Sequence, residues 1–198
     1  MYNKDKVEFI NINITTMKKA FIFLAPGFEE TEAIGTIDVL KRGGVDIKIV
    51  SVTGDTFVES AHGVGIKADI YLPDVKAEEA DALILPGGMP GAENLKKDMT
   101  VRSLVDAMYA KGRLVAAICA APMVLGDLGL LRNKKATCYP GFESEMTGAL
   151  ATGQPVEQDG NIITGKGPAF AYRFGLAILA YLRGGDVAEE VAQGMLIS

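Results

Sequence analysis

The chain has 198 residues, 48% of them hydrophobic and 23% charged, so there is enough apolar material to build a core of one α/β domain and no sign of disorder. The formal net charge is −5, and no basic run or basic–aromatic cluster interrupts it, which argues against nucleic acid as a partner. Two cysteines, Cys119 and Cys138, and one histidine, His62, are too few for a disulfide framework or a structural Cys/His metal site, and they fit a reducing, cytoplasmic compartment.

The N-terminal stretch alternates in Phe9-Ile10-Asn11-Ile12-Asn13-Ile14, and its asparagines deny the unbroken apolar core of a signal peptide. No window has the length and hydropathy of a membrane span. Residues 1–16 read as an extension, either a tail or an added strand, ahead of a single domain over 17–198.

Ala20-Phe21-Ile22-Phe23-Leu24 is a continuous apolar run of the kind found in buried parallel strands, and Pro26-Gly27 ends it. Residues 29–42 form a helix whose first turn is rich in acids, where the dipole favours them, and Gly43-Gly44 stops it. A strand over 47–52 follows, then a hairpin over 57–67 that carries His62-Gly63. The run Ala82-Leu83-Ile84-Leu85 is a second buried strand, halted by Pro86-Gly87-Gly88. A helix over 101–110 leads to the strand Leu114-Val115-Ala116-Ala117-Ile118, and a further helix opens at Ala121-Pro122, with proline well suited to a first turn. A short strand over 135–138, a hairpin over 156–164 turning at Asp159-Gly160, a long helix after Gly167-Pro168 and a short one from Asp186 complete the chain. Buried strands that alternate with helices predict a mostly parallel central sheet covered on both faces.

In such sheets, sites form where strands end. Three predicted strand ends carry candidate chemistry: Glu29, Glu30 and Glu32; Gly87-Gly88; and Cys119-Ala120. Cys119 falls between a strand and a helix, with small neighbours that permit the sharp turn of a nucleophile elbow, and the N–H groups beyond it suit a thiolate. The competing reading is a buried structural thiol. Gly87-Gly88 offers unobstructed N–H groups fit for an oxyanion hole, or a plain turn. Neither a P-loop lysine nor a dinucleotide glycine pattern is present, so no cofactor is inferred. The three glutamates suit the helix dipole, and one of them turned inward would hydrogen-bond a thiol and move protons; periodicity does not choose which. His62 lies far along the chain and reads as a surface or interface histidine, and Cys138 reads as structural.

Taken together, Leu24-Ala25-Pro26-Gly27-Phe28-Glu29-Glu30-Thr31-Glu32-Ala33, Leu85-Pro86-Gly87-Gly88-Met89-Pro90-Gly91, Val115-Ala116-Ala117-Ile118-Cys119-Ala120-Ala121-Pro122 and Thr164-Gly165-Lys166-Gly167-Pro168 make the chain resemble the ThiJ/PfpI superfamily. The closest likeness is to the branch of the parkinsonism-associated deglycase and YajL-type proteins. The resemblance implies a flavodoxin-like three-layer α/β sandwich, usually a homodimer. It assigns Cys119 as nucleophile and oxidation-sensitive thiol, and Glu32 as the protonated carboxyl beside it. Gly88 and Ala120 become the oxyanion N–H donors. Gly87, Tyr139, Gly167 and Pro168 are carried over to the pocket, and Arg42 and His62 to positions near a dimer interface. The activity implied is glyoxalase or deglycase chemistry on a small carbonyl substrate such as methylglyoxal, without metal or cofactor. The alternative is a redox-responsive stress or chaperone protein in which Cys119 becomes a sulfinate. A third label used in the superfamily, thiazole monophosphate biosynthesis, finds no phosphate-binding loop here. Two departures narrow the activity: Ala120 stands where protease-like members carry histidine, and Tyr139 stands where deglycase-type members often do.

Overall fold

A computed structural model describes residues 17–197; the proposed extension over 1–16 lies outside the described residues. The strands are β1 (Lys19–Leu24), β2 (Asp46–Ser51), β3 (Phe57–Glu59), β4 (Gly65–Lys67), β5 (Ile70–Tyr71), β6 (Ala82–Leu85), β7 (Leu114–Ile118), β8 (Lys135–Ala136), β9 (Leu150–Ala151), β10 (Val156–Asp159) and β11 (Ile162–Gly165). The helices are α1 (Glu30–Arg42), α2 (Gly91–Lys97), α3 (Met99–Ala110), α4 (Pro122–Asp127), α5 (Ala171–Arg183) and α6 (Gly185–Gly194).

Seven strands form one sheet in the order β10-β11-β7-β6-β1-β2-β5. Only the edge pair β10–β11 is antiparallel; every other pairing in this sheet is parallel. Alternate residues of β1 serve opposite faces, which is why the run is apolar throughout. Phe21 and Phe23 pack with Leu95 of α2, Val105 and Met108 of α3 and Leu125 of α4. Ile22 and Leu24 pack with Leu40 of α1 and Phe174 and Ile178 of α5. The result is the predicted three-layer flavodoxin-like α/β sandwich. Among the described residues, no helix is long and apolar enough to cross a membrane.

Most predicted elements stand, with shifts at their ends. The first helix begins at Glu30 rather than Glu29, because Glu29 is its N-cap: its Oε2 accepts the Glu32 N–H at 2.6 Å. The strand expected over 135–138 stops at Ala136, where Thr137 N–H turns to the Thr164 hydroxyl at 3.0 Å. The third helix starts at Met99, capped by the Asp98 carboxylate, which accepts N–H bonds from Thr100 and Val101.

The bottom of the sheet is tied by one carboxylate. Asp81 Oδ1 meets Lys18 Nζ at 3.1 Å and Arg113 Nη1 at 2.7 Å, and Oδ2 accepts the Lys19 N–H at 3.0 Å. The Asp81 side chain is only 17% exposed, so these bonds are worth more than a surface pair. Asp81→Ala leaves two cations and a strand N–H without their partner, and the expected loss is about 2 kcal/mol. Urea unfolding monitored by circular dichroism should show it as a lower midpoint with an unchanged slope.

Candidate functional site

The carboxyl ends of β1, β6 and β7 meet at one place. The loop after β1 and the loop after β6 are bonded to each other: Glu29 N–H donates to Gly87 O at 2.9 Å, Gly91 N–H to Gly27 O at 3.3 Å, and Asn94 Nδ2 to Pro26 O at 3.2 Å. In return, Gly87 N–H donates to Glu32 Oε2 at 2.7 Å. Both sides of Gly87 therefore engage the first turn of α1. Because Glu29 caps that turn, Glu32 falls three residues inside it on the buried face, with 0% exposure. Burial and capping thus select Glu32 from the three glutamates.

Cys119 follows β7 directly. Its φ is +64°, a left-handed conformation that costs a non-glycine residue roughly 1–3 kcal/mol and marks strain held by its surroundings. The holding bonds are plain: Cys119 N–H donates to Gly165 O at 2.9 Å, and Cys119 O accepts the Tyr139 N–H at 2.8 Å. The residue is 8% exposed, and its sulfur accepts the backbone N–H groups of Gly88 and Ala120. The helix beyond it, α4, is short and opens with Pro122.

The closeness of Cys119 and Glu32 is shown by Gly87. A methyl group on its Cα would lie 2.6 Å from Cys119 Cβ and 2.8 Å from Glu32 Oε2. Gly88, at φ +83°, would drive a side chain into the backbone at Glu29 N, so glycine is required at both positions.

The sequence suggested that helix N–H groups would stabilise a thiolate. They do pull that way, but burial dominates. Burial, together with the charge of Glu32 and its hydrogen bond, pushes the Cys119 thiol up to about 12, against the lowering pull of Gly88 and Ala120. Burial also pushes Glu32 up to about 7, against its bonds from Gly87 and Cys119. The two groups are one unit, since a single negative charge in this desolvated space opposes a second. When the charge rests on the carboxyl, the thiol keeps its proton. When Glu32 holds a proton, that repulsion disappears, and burial alone then opposes a charge on sulfur, against the pull of two N–H donors. Glu32 Oε1 has no hydrogen-bond partner of standard geometry, which leaves that oxygen free to carry the shared proton.

Tyr139, Gly167 and Pro168 come together, with Lys166 and Phe170, around a small apolar cavity of about 140 Å³, and the Tyr139 ring packs against Gly167. Gly87 is not among the residues lining that cavity; it lies between Cys119 and Glu32 instead. Cys138 is buried, and its thiol is pushed up to about 11 by burial and by Glu143, as expected of a structural cysteine. Arg42 pairs with Asp38 at 3.0 Å at the opposite end of α1, about 15 Å along the axis from Glu32. His62 is 70% exposed and hydrogen-bonds Glu30 rather than Cys119, so there is no Cys–His dyad at this site.

A match to the model described as DJ-1/PfpI family covers residues 18–181. The chain belongs to this family. It is 36% identical to Protein dj-1beta of Drosophila melanogaster over 183 residues, 91% of this chain and 98% of that one. The crystal structure of Drosophila melanogaster DJ-1beta superposes with a TM-score of 0.87 at 36% identity, covering 92% of this chain and 99% of that one. A structure of Toxoplasma gondii DJ-1, described as oxidized, gives a TM-score of 0.88 at 34% identity, covering 91% and 99%. The chain is also 41% identical over 180 residues to Protein DJ-1 homolog B of Arabidopsis thaliana, covering 90% of this chain but only 41% of that one. It therefore spans less than half the length of that longer relative.

Two features went unread in the sequence: the capping role of Glu29, and the Glu30–His62 contact. The spacing of an acid three residues ahead of Glu32 was the available signal for the first. The second joins segments 32 residues apart and had none.

The raised Glu32 has a stability consequence. Between pH 4.5 and about 7 the folded protein holds a proton here that the unfolded chain releases, so this group makes stability fall as pH rises through that window. Glu32→Gln keeps the acceptor for Gly87 and removes the titration. The variant should gain relative to the parent on going from pH 4.5 to pH 8, by up to about 3 kcal/mol. Urea melts at the two pH values test this, and equal changes in both proteins would refute it.

Proposed function

We propose that this protein is a cysteine-dependent enzyme acting on reactive carbonyls, of glyoxalase or deglycase type, with methylglyoxal or its adducts as substrate. The observation that carries this reading is the strained Cys119 whose sulfur shares a buried site with Glu32 and accepts two backbone N–H groups. The Cys119 S–H passes its proton to the Glu32 carboxylate, and the thiolate Sγ adds to the aldehyde carbon, forming a sulfur–carbon bond as the carbonyl π pair moves to oxygen. That oxygen develops its charge against the Gly88 and Ala120 N–H groups and takes a proton from Glu32, giving a hemithioacetal. Glu32, now a carboxylate, removes the proton from the former aldehyde carbon and returns it to the neighbouring carbon through an enediol, while the hydroxyl proton passes from the first oxygen to the second, leaving a thioester carbonyl beside a new hydroxyl. Water then cleaves the resulting lactoyl thioester, releasing lactate and the thiol. Ala120 supplies no imidazole, so Glu32 is the proton carrier, and Tyr139 lies beside the thiol through its N–H bond to Cys119 O.

Cys119→Ser should abolish lactate formation from methylglyoxal, with a loss of at least a hundredfold, while the urea midpoint stays close to that of the parent. Full lactate production by the variant would overturn the assignment. Glu32→Gln should lower kcat more than KM, because the amide cannot carry a proton.

A second reading, redox sensing in a stress or chaperone role, is supported by the oxidized form of the similar Toxoplasma protein. Two equivalents of peroxide would each transfer one oxygen to Cys119 sulfur and leave as water, giving a sulfinate held by the Gly88 and Ala120 N–H groups and the protonated Glu32. Intact-protein and peptide mass spectrometry after mild peroxide should find two oxygens on Cys119 and none on Cys138; equal oxidation of both cysteines would sink it. A homodimer and a cytoplasmic location belong to the same proposal.

A further inference from the structure

We propose that the cavity beside Cys138 binds a free α-amino acid with a medium-sized apolar side chain, at a place separate from the Cys119 site. The cavity has a volume of about 280 Å³, and Cys119, Glu32, Gly88 and Ala120 do not line it. Arg42 and His62, the dimer-interface candidates, do not border it either. Its volume falls just below the span of pockets that hold drug-sized ligands, so the occupant is a smaller molecule.

Residues 137–146 supply one part of the wall, with Thr137, Cys138, Glu143 and Met146, and the rest includes Gly153 and Lys166. Lys166 is tied down twice: its N–H donates to Pro155 O at 3.0 Å, and its Nζ to Gly153 O at 3.0 Å. Glu143 Oε2 accepts the Gly141 N–H at 2.8 Å. Both charged heads are therefore positioned before a ligand arrives, which reduces the ordering cost of binding.

The charges specify the ligand. Lys166 and Glu143 border one cavity without pairing with each other, and neither has an ion-pair partner among the described residues. The ammonium keeps N–H groups beyond its bond to Gly153, and the carboxylate keeps lone pairs beyond its bond from Gly141. A simple carboxylic acid would answer only Lys166, and a simple amine only Glu143. A zwitterion answers both, its carboxylate at Lys166 and its ammonium at Glu143.

Thr137 is a second, independent observation. It borders the cavity and is 1% exposed, and its Oγ1 has no hydrogen-bond partner among the described residues, although its N–H is bonded to Thr164 Oγ1 at 3.0 Å. Buried hydroxyls are normally paired, and a ligand carboxylate oxygen gives this one an acceptor. Cys138 and Met146, both buried, supply apolar wall. Burial and the nearby Glu143 push the Cys138 thiol up to about 11, so that wall stays uncharged at neutral pH and suits an apolar side chain. Methionine, whose flexible thioether fills irregular space, is the probe of choice.

Calorimetric titration of the full chain with L-methionine tests the site. A saturable one-to-one isotherm is expected. N-acetyl-L-methionine lacks the ammonium and L-methioninamide lacks the carboxylate, and each should bind the same protein at least tenfold more weakly. These analogues need no substitution, so they test the charge assignment whatever a variant does to folding. Glu143→Gln, which keeps the acceptor for Gly141, and Lys166→Met should each raise the dissociation constant for L-methionine at least tenfold. Absence of saturable methionine binding, equal binding of either blocked analogue, or undiminished binding by either variant overturns the proposal.

Discussion

The site depends on the closeness of approach at Gly87. Its Cα lies where a methyl group would meet Cys119 Cβ, Glu32 Oε2 and the carbonyl of Ile118 at 3.0 Å or less. Because no side chain is there, a helix at the end of β1 and a turn at the end of β7 reach each other across the end of β6. The same residue then bonds the start of α1 twice, its C=O accepting from the Glu29 N–H and its N–H donating to the Glu32 carboxylate. The sheet order makes this possible, since β6 lies between β1 and β7 and all three run parallel.

From that contact the chemistry follows in steps. A carboxyl fully removed from water prefers to be neutral, and so does a buried thiol. Placed together, they resist holding more than one charge between them. Two N–H donors at the sulfur and one at the carboxyl divide the preference for that charge. The strain at Cys119 belongs to the same design. A left-handed residue directly after a strand turns its side chain back towards the neighbouring loop, and bonds to Gly165 and from Tyr139 hold it there.

Much of this was legible in the residues. Continuous apolar runs located β1, β6 and β7, because both sheet faces are covered and neither needs a polar stripe. Proline and glycine marked the strand ends, and so the convergence of three segments was readable from the residues alone. The short elements were not. The helix α2 has only seven residues and follows Gly87-Gly88 and Pro90, composition that reads as loop. It exists because Ala92 and Leu95 pack into the core under β1, a tertiary contact with no local signature. β5 and β9 are two residues each and are set by their partners. The choice among Glu29, Glu30 and Glu32 was likewise undecidable from periodicity, since all three satisfy the dipole. Capping decides it, because once Glu29 holds the N-cap, Glu32 alone points to the core.

The three acids therefore divide three tasks over a single turn of helix. Glu29 caps the helix through the Glu32 N–H, Glu32 faces the thiol, and Glu30 turns to His62. Their environments separate them more than their chemistry does: the same side chain is a cap when half-buried, an acid when fully buried, and an anion when held by an imidazole and a hydroxyl. A change at one position moves the others, because Glu29 sets the depth of Glu32 and the adjoining Phe28–Ser60 bridge sets the reach of His62. The loop after β1 and the first turn of α1 thus carry both the buried carboxyl that faces the thiol and the carboxylates at its outer side, held through Gly87 and Ser60 as well as through the helix cap.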